Sequence, residues 1–204
     1  MAIITDIERA RGRVIVRADG VEIARPQARY FDLCPVNAGD DIDPEAWIDR
    51  LAAEQLSDAY EAALTSLDYC ARSEKELKNA LRRKGFVDPA VDAAVERLRG
   101  AGLVDDARYA RRMAELQASK PVGVYALRRK LAARGISDAD ADAALAGFDD
   151  DQQRNACRAA AEGLWRKYRA LPRREARAKL SSALARRGFG WDAIEAAVDG
   201  LLDE

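Results

Sequence analysis

The sequence contains no histidine. That removes the commonest general base and the commonest metal ligand among side chains. Its three cysteines, Cys34, Cys70 and Cys157, lie far apart and form no Cys-x-x-Cys pair. Neither a disulfide framework nor a zinc site is expected, and a reducing cytoplasm fits. No Walker loop, Gly-x-Gly-x-x-Gly or Gly-x-Ser-x-Gly is present, so phosphate-cradling and serine-nucleophile chemistry have no foothold. No apolar run approaches the roughly 18 residues of a membrane span. Asp6, Glu8, Arg9, Arg11 and Arg13 break the first twenty positions, against a signal peptide. Neither sign of charge prevails: 34 basic and 35 acidic residues leave −1, and no overall field draws the chain to nucleic acid or membrane. Asp149-Asp150-Asp151 reads as an acidic helix start that complements the macrodipole, not as a metal site. The absences describe a soluble protein without catalytic residues, metal or cofactor.

What is there is alanine and helical periodicity, preceded by a short strand-rich front. Aromatics are scarce, and the composition favours helix over sheet. In residues 13–25, Asp19-Gly20 separates two apolar runs, a strong hairpin signal. Pairing across it sets Ala18 opposite Val21, Arg17 opposite Glu22 and Val16 opposite Ile23. Val14, Val16, Val21 and Ile23 then share one face, and an Arg17–Glu22 pair lies on the other. Residues 2–8 can add a third strand. Asp43 can cap a helix whose first residue is Pro44.

From Pro44 onward the chain repeats itself. Leu77, Leu81, Gly85, Phe86, Val91, Val95 and Leu98 recur fifty positions later as Leu127, Leu131, Gly135, Ile136, Ala141, Leu145 and Phe148. They recur again, 103 positions from the first set, as Leu180, Leu184, Gly188, Phe189, Ile194, Val198 and Leu201. Leucines four apart stack on one helix face. The glycine after them ends the helix in a left-handed conformation, and the next apolar residue folds back on the last turn. Lys84, Arg134 and Arg187 meet the negative helix end. The following helix opens at Asp88-Pro89 in the first copy and at Ser137 with Asp140 in the second; the third offers only Gly190. A leading helix is expected in each copy, near 56–71, 105–117 and 151–169, because two short helices bury too little. The fold class is mainly all-α: three tandem three-helix repeats in an elongated curved array, behind a small β-rich module. The boundaries read 1–43 for the front module, 44–104 for a linking helix and repeat 1, 105–148 for repeat 2 and 149–204 for repeat 3.

Gly102-Leu103-Val104-Asp105-Asp106, followed by Arg108-Tyr109-Ala110, resembles a signature of the RecX family, regulators of the RecA recombinase. Residues 72–86, 123–136 and 178–189 resemble that family's first, second and third units, and the likeness spans roughly 56–204. Val104 stands where leucine or isoleucine is commoner, and position 141 is only alanine. The resemblance implies a non-enzymatic protein of homologous recombination, DNA repair and the SOS response. It implies binding of RecA filaments on DNA in the filament groove, with inhibition of ATP hydrolysis, filament growth and strand exchange. DNA itself would be met weakly or through the filament.

Candidate partner or DNA contacts are the basic residues at helix ends: Arg82, Arg83, Lys84, Arg128, Arg129, Lys130, Arg134, Arg173, Arg174, Arg186 and Arg187. Trp191 joins them as a possible aromatic anchor. Acids gather instead on the closing helices, among them Asp88, Asp92, Asp138, Asp142, Asp192 and Asp199. Stacked in one direction, the units would carry a basic ribbon along one edge. The plainer reading is solvated helix ends that complement their dipoles. Trp165, Tyr168 and Tyr109 are expected to pack. A direct DNA-binding helix-turn-helix protein is the alternative, although closing helices that begin acidic and alanine-rich would be repelled by phosphates. The charged end, Leu201 to Glu204, fits a capped monomer.

Overall fold

The structure, a computed structural model, describes residues 1–118 and 120–202. Four strands and ten helices are present among them. They divide into two compact units, Met1–Asp105 and Asp106–Glu204. Asp203 and Glu204, part of the charged end on which the monomer expectation rests, lie outside the described residues.

The first unit opens with an antiparallel sheet of order β3-β2-β1-β4, where β1 is Ala2–Ala10, β2 Arg13–Ala18, β3 Val21–Ala24 and β4 Asp41–Ile42. Asp19 and Gly20 both adopt positive φ, as a two-residue turn that follows the strand twist requires. Ala18 faces Val21 and Arg17 faces Glu22, but a bulge then sets Val16 opposite Ala24 rather than Ile23. The extra residue on β3 turns the strand away from the expected register. Val14, Val16 and Ala18 are buried, whereas Val21, beside the turn, is 66% exposed. The expected Arg17–Glu22 pair is replaced as well: Arg17 meets Asp6 and Glu8 of β1, while Glu22 meets Arg25 at 2.8 Å.

The sheet's buried face packs with α1 (Ala28–Phe31) and α2 (Pro44–Tyr69). Pro44 is the first residue of α2, and the Asp43 carboxylate accepts from the Glu45 amide at 3.1 Å. The linking helix and the leading helix expected near 56–71 are one uninterrupted helix of 26 residues. With α3 (Glu74–Lys84) and α4 (Asp88–Gly100) it completes repeat 1. Ser73 and Glu76 form a reciprocal capping box at the start of α3. The start of α4 is held differently: Val87 offers no cap, and the buried Gln55 of α2 accepts its amide at 2.7 Å.

The second unit holds α5 (Asp106–Ala118), α6 (Val124–Ala133) and α7 (Asp138–Leu145), then α8 (Asp150–Tyr168), α9 (Arg173–Arg186) and α10 (Trp191–Leu202). Each trio closes over its own apolar cluster. Asp149 caps α8 by accepting from Gln152 at 2.7 Å, so the aspartate run is indeed a helix start. Ser137 caps α7 through the Asp140 amide.

All three copies end their middle helix in the same way. Gly85, Gly135 and Gly188 have φ of 94°, 86° and 84°. The next residue donates back five positions, Phe86 to Leu81, Ile136 to Leu131 and Phe189 to Leu184, at 3.4, 3.1 and 3.4 Å. Both leucines of every copy are buried. The leading helices repeat a further pattern, two small buried residues four apart: Ala59 and Ala63, Ala110 and Ala114, Cys157 and Ala161. Small buried side chains at these positions let neighbouring helices approach closely.

Candidate functional site

A helix that ends at a glycine turn leaves carbonyls in need of donors. In copies 1 and 3 the same two carbonyls find them outside their own repeat. In the first unit Arg13 of β2 donates to the Arg83 carbonyl, and the Gln27 amide donates to the Lys84 carbonyl at 2.8 Å. In the second unit the equivalent carbonyls belong to Arg186 and Arg187. Arg129 donates to the first at 3.5 Å, and the Gly123 amide donates to the second at 3.0 Å. The Tyr125 amide adds a bond to the Gly188 carbonyl at 3.1 Å. The start of α6 therefore meets the end of α9, positive dipole end to negative.

The basic side chains expected at a partner surface divide by their neighbours. Arg82 is tied to Asp88 at 2.6 Å, across the turn that joins α3 to α4. Arg128 pairs with Asp142, repeating the Lys78–Asp92 pair of copy 1 at 3.0 Å. Glu74 also holds Lys78, and hydrogen bonds to the two carboxylates, that of Glu74 the larger effect, raise its pKa. Arg134 lies 5.7 Å from the Tyr109 ring centre and bonds its hydroxyl. These ties bind helix to helix inside a repeat. Arg83, Lys84, Arg129, Lys130, Arg186 and Arg187 are exposed and meet no carboxylate among the described residues. Arg173 and Arg174 occupy the exposed first turn of α9.

Trp165 and Tyr168 are half-buried against the core of repeat 3, as expected. Trp191 is 65% exposed at the first position of α10. The structure sets near Gly190 a residue that sequence reasoning passed over. Tyr125 is 56% exposed, and its ring edge would lie 3.5 Å from a methyl built on Gly190, the residue before Trp191. A second omission is the cleft lined by Arg108, Arg111, Arg112, Glu115 and Leu116 on α5. The i, i+3, i+4 spacing of its arginines was the available signal. Among the described residues no group of three or more acidic or cysteine side chains is placed to hold a metal, and no helix is long and apolar enough to cross a membrane.

Comparison with known proteins covers all three repeats. Family profiles described as the first, second and third three-helix domains of RecX match residues 59–98, 105–145 and 150–198. A regulatory protein RecX of Chlorobaculum tepidum is 35% identical over 151 residues, 72% of this chain and 91% of the relative. One from Limosilactobacillus reuteri is 28% identical over 210 residues, 100% of this chain and 78% of the relative. A crystal structure of a regulatory protein RecX superposes with a TM-score of 0.68 at 27% identity, covering 98% of this chain and 100% of that one. The RecX of Lactobacillus salivarius gives 0.64 at 27% identity, over 74% of this chain and 98% of its own.

Proposed function

Because this chain belongs to the RecX family of regulatory proteins, we propose that it is a non-enzymatic cytoplasmic regulator that binds RecA filaments on DNA. Bound there, it restrains ATP hydrolysis, filament growth and strand exchange. The observation that carries this reading is the match of all three helical domains, in order, to the three domains of the family. The glycine turns support it with a chemistry: they present exposed basic side chains at helix ends, and Arg83 and Lys84 in copy 1 and Arg186 and Arg187 in copy 3 meet no carboxylate among the described residues. Such groups suit the acidic surface of a nucleoprotein assembly. Arg82 and Arg128 are committed to internal ion pairs, so Arg83, Lys84, Arg129, Arg186 and Arg187 carry the contact in this reading.

The test is DNA-stimulated ATP hydrolysis by the cognate recombinase, measured with the protein at a small fraction of the recombinase concentration. The parent chain is expected to inhibit at ratios too small to coat the DNA. Reversal of Arg83, Lys84, Arg186 and Arg187 to glutamate is expected to abolish inhibition with the circular dichroism spectrum unchanged. Inhibition that survives the reversal, or that requires saturation of the DNA, refutes the reading.

A further inference from the structure

We propose that the free edge of β3 and the cleft beside it take up an extended peptide segment of a partner protein, one that alternates apolar and basic residues. β3 is the outermost strand on its side of the sheet, and among the described residues no element pairs with its other side. A cleft of about 680 Å³ is lined by Glu22, Ile23, Ala24 and Arg25 in succession. Neighbouring residues of a strand point to opposite faces, so a cleft that touches four in a row runs along the strand's edge. An edge carries backbone donors and acceptors that an added strand can satisfy. The opposite wall comes from helices: Ile48 of α2, then Phe86 and Val87 at the Gly85 turn. Phe86 and Val87 are buried, and Ile23 and Ile48 pack against the same core, so the apolar lining is held in place. β3 is only four residues long and bulged at Ile23. Such an edge resists open-ended pairing, yet it matches an extended segment of about four residues, roughly 13 Å.

The charges around the cleft select the occupant. Its arginines are already engaged: Arg25 with Glu22, Arg82 with Asp88, and Arg13 with the Arg83 carbonyl. Glu45 and Asp49 also line the cleft. Both are exposed and meet no cation among the described residues. They lie four apart, on one face of α2. The helix dipole accounts for Glu45, in the first turn; Asp49, a turn further on, lies beyond its reach. A lysine or arginine on the ligand complements both carboxylates. Residues two apart on an extended peptide share a face. An apolar side chain seated against Ile48 and Phe86 therefore puts a basic one, two positions along, within reach of Glu45 and Asp49. A second copy of this chain fits less well, because an isologous pairing through β3 would add a second set of the same carboxylates. All of these residues belong to the first unit, and the inference stands apart from the filament reading.

The test uses the full chain and fluorescein-labelled hexapeptides with blocked ends, followed by anisotropy. The peptides alternate valine with lysine, serine with lysine, and valine with glutamate. The valine–lysine peptide is expected to bind best. Glu45→Gln with Asp49→Asn, both at exposed positions, should weaken it about five- to twenty-fold with the circular dichroism spectrum unchanged. N-methylation of either the valine or the lysine amides separates the two edges of the peptide. The set that faces β3 should lose about five-fold or more, while the charge stays the same. Amide shifts of the nitrogen-15-labelled protein should move at residues 22–25, 45–49 and 86–88. Equal binding of the serine–lysine or the valine–glutamate peptide, full affinity of both methylated peptides or of the double variant, or shifts confined to other residues overturns the site. So does a free chain that sediments as a dimer and protects the amides of residues 22–25, since a second copy then holds the edge. The assays contain no recombinase, so their failure leaves the filament reading untouched.

Discussion

The glycine turns at 85 and 188 solve the same problem with different materials. Each leaves carbonyls at its helix end, and each finds donors on a neighbouring element. At Gly85 both donors are side chains of the strand-rich front, Arg13 and Gln27. At Gly188 they come mainly from the backbone at the start of α6, through Gly123 and Tyr125. The front module thus does for repeat 1 what repeat 2 does for repeat 3. This is the part a capping element plays in a repeat array, whose terminal units otherwise end on unsatisfied surface. The materials fix the tolerance: a side-chain contact can move aside, whereas two backbones in contact cannot.

The most damaging way to break the comparison is a methyl group at the backbone junction. A Cβ on Gly123 would overlap the carbonyl of Gly188, and one on Gly188 would overlap the amide and Cβ of Ala126. Gly188→Ala adds the left-handed penalty of about 1–2 kcal/mol; Gly123 has φ of −77° and escapes it. Each is expected to cost about 3 kcal/mol or more, through overpacking that only a shift of α6 from α9 can relieve. Hydrogen exchange over residues 123–133 and 176–187 should accelerate accordingly. Gly102→Ala is the control, with φ of 69° and nothing within 4 Å of the added methyl; it bears the conformational penalty alone. Equal losses for Gly123→Ala and Gly102→Ala would mean the junction is loose.

A smaller effect sharpens the other side. At Gly85 an added methyl lies 3.3 Å from Arg13 Cζ and 3.5 Å from Gln27 Cγ, both parts of side chains. Gly85→Ala is expected to cost about 1–2 kcal/mol, close to the left-handed penalty alone. Arg13→Ala should cost about 1 kcal/mol, because the Arg83 carbonyl loses its donor. Combined in one chain, the two should be less damaging than their sum, since the truncated Arg13 no longer crowds the methyl. Urea unfolding of the four proteins gives the coupling; strict additivity would remove Arg13 from the turn.

Much of this was legible in the sequence, and the exceptions share a cause. Leu81, Gly85 and Phe86 announced a helix stop because the signal is local: a stacked pair, a residue suited to positive φ and an apolar return. The Ser73–Glu76 capping box was equally local and was passed over. Asp19-Gly20 announced its hairpin, but not the bulge that moved Ile23 out of register, because a bulge answers to packing beyond the turn. Gln55 holding Val87, Gln27 capping Lys84 and Tyr125 lying over Gly190 join residues 32, 57 and 65 positions apart, and no pattern in a single chain links them. The basic cluster at 128–130 shows the same limit. Its composition suggested one surface, whereas the fold pairs Arg128 with Asp142 and leaves Arg129 beside the Arg186 carbonyl.

The smallest effect tests whether the three leading helices are equivalent. Cys157 stands where the other two copies carry Ala59 and Ala110, and all three are buried. Burial pushes its thiol up from 9.0 to about 11. A thiol raised on folding contributes fully while both states stay protonated, below about pH 9. As pH climbs from there towards about 11 the unfolded chain loses its proton first, and the second unit is destabilised by of order 1 kcal/mol per pH unit. Cys157→Ala supplies the side chain of the other copies, so it should remove that alkaline slope while costing no more than about 1 kcal/mol at neutral pH. The difference between the two proteins in urea midpoint, followed from pH 8 to pH 11, isolates the thiol from every other titrating group, because those are common to both. A parallel pair of curves would show that Cys157 reaches solvent, and that the third leading helix packs unlike the first two.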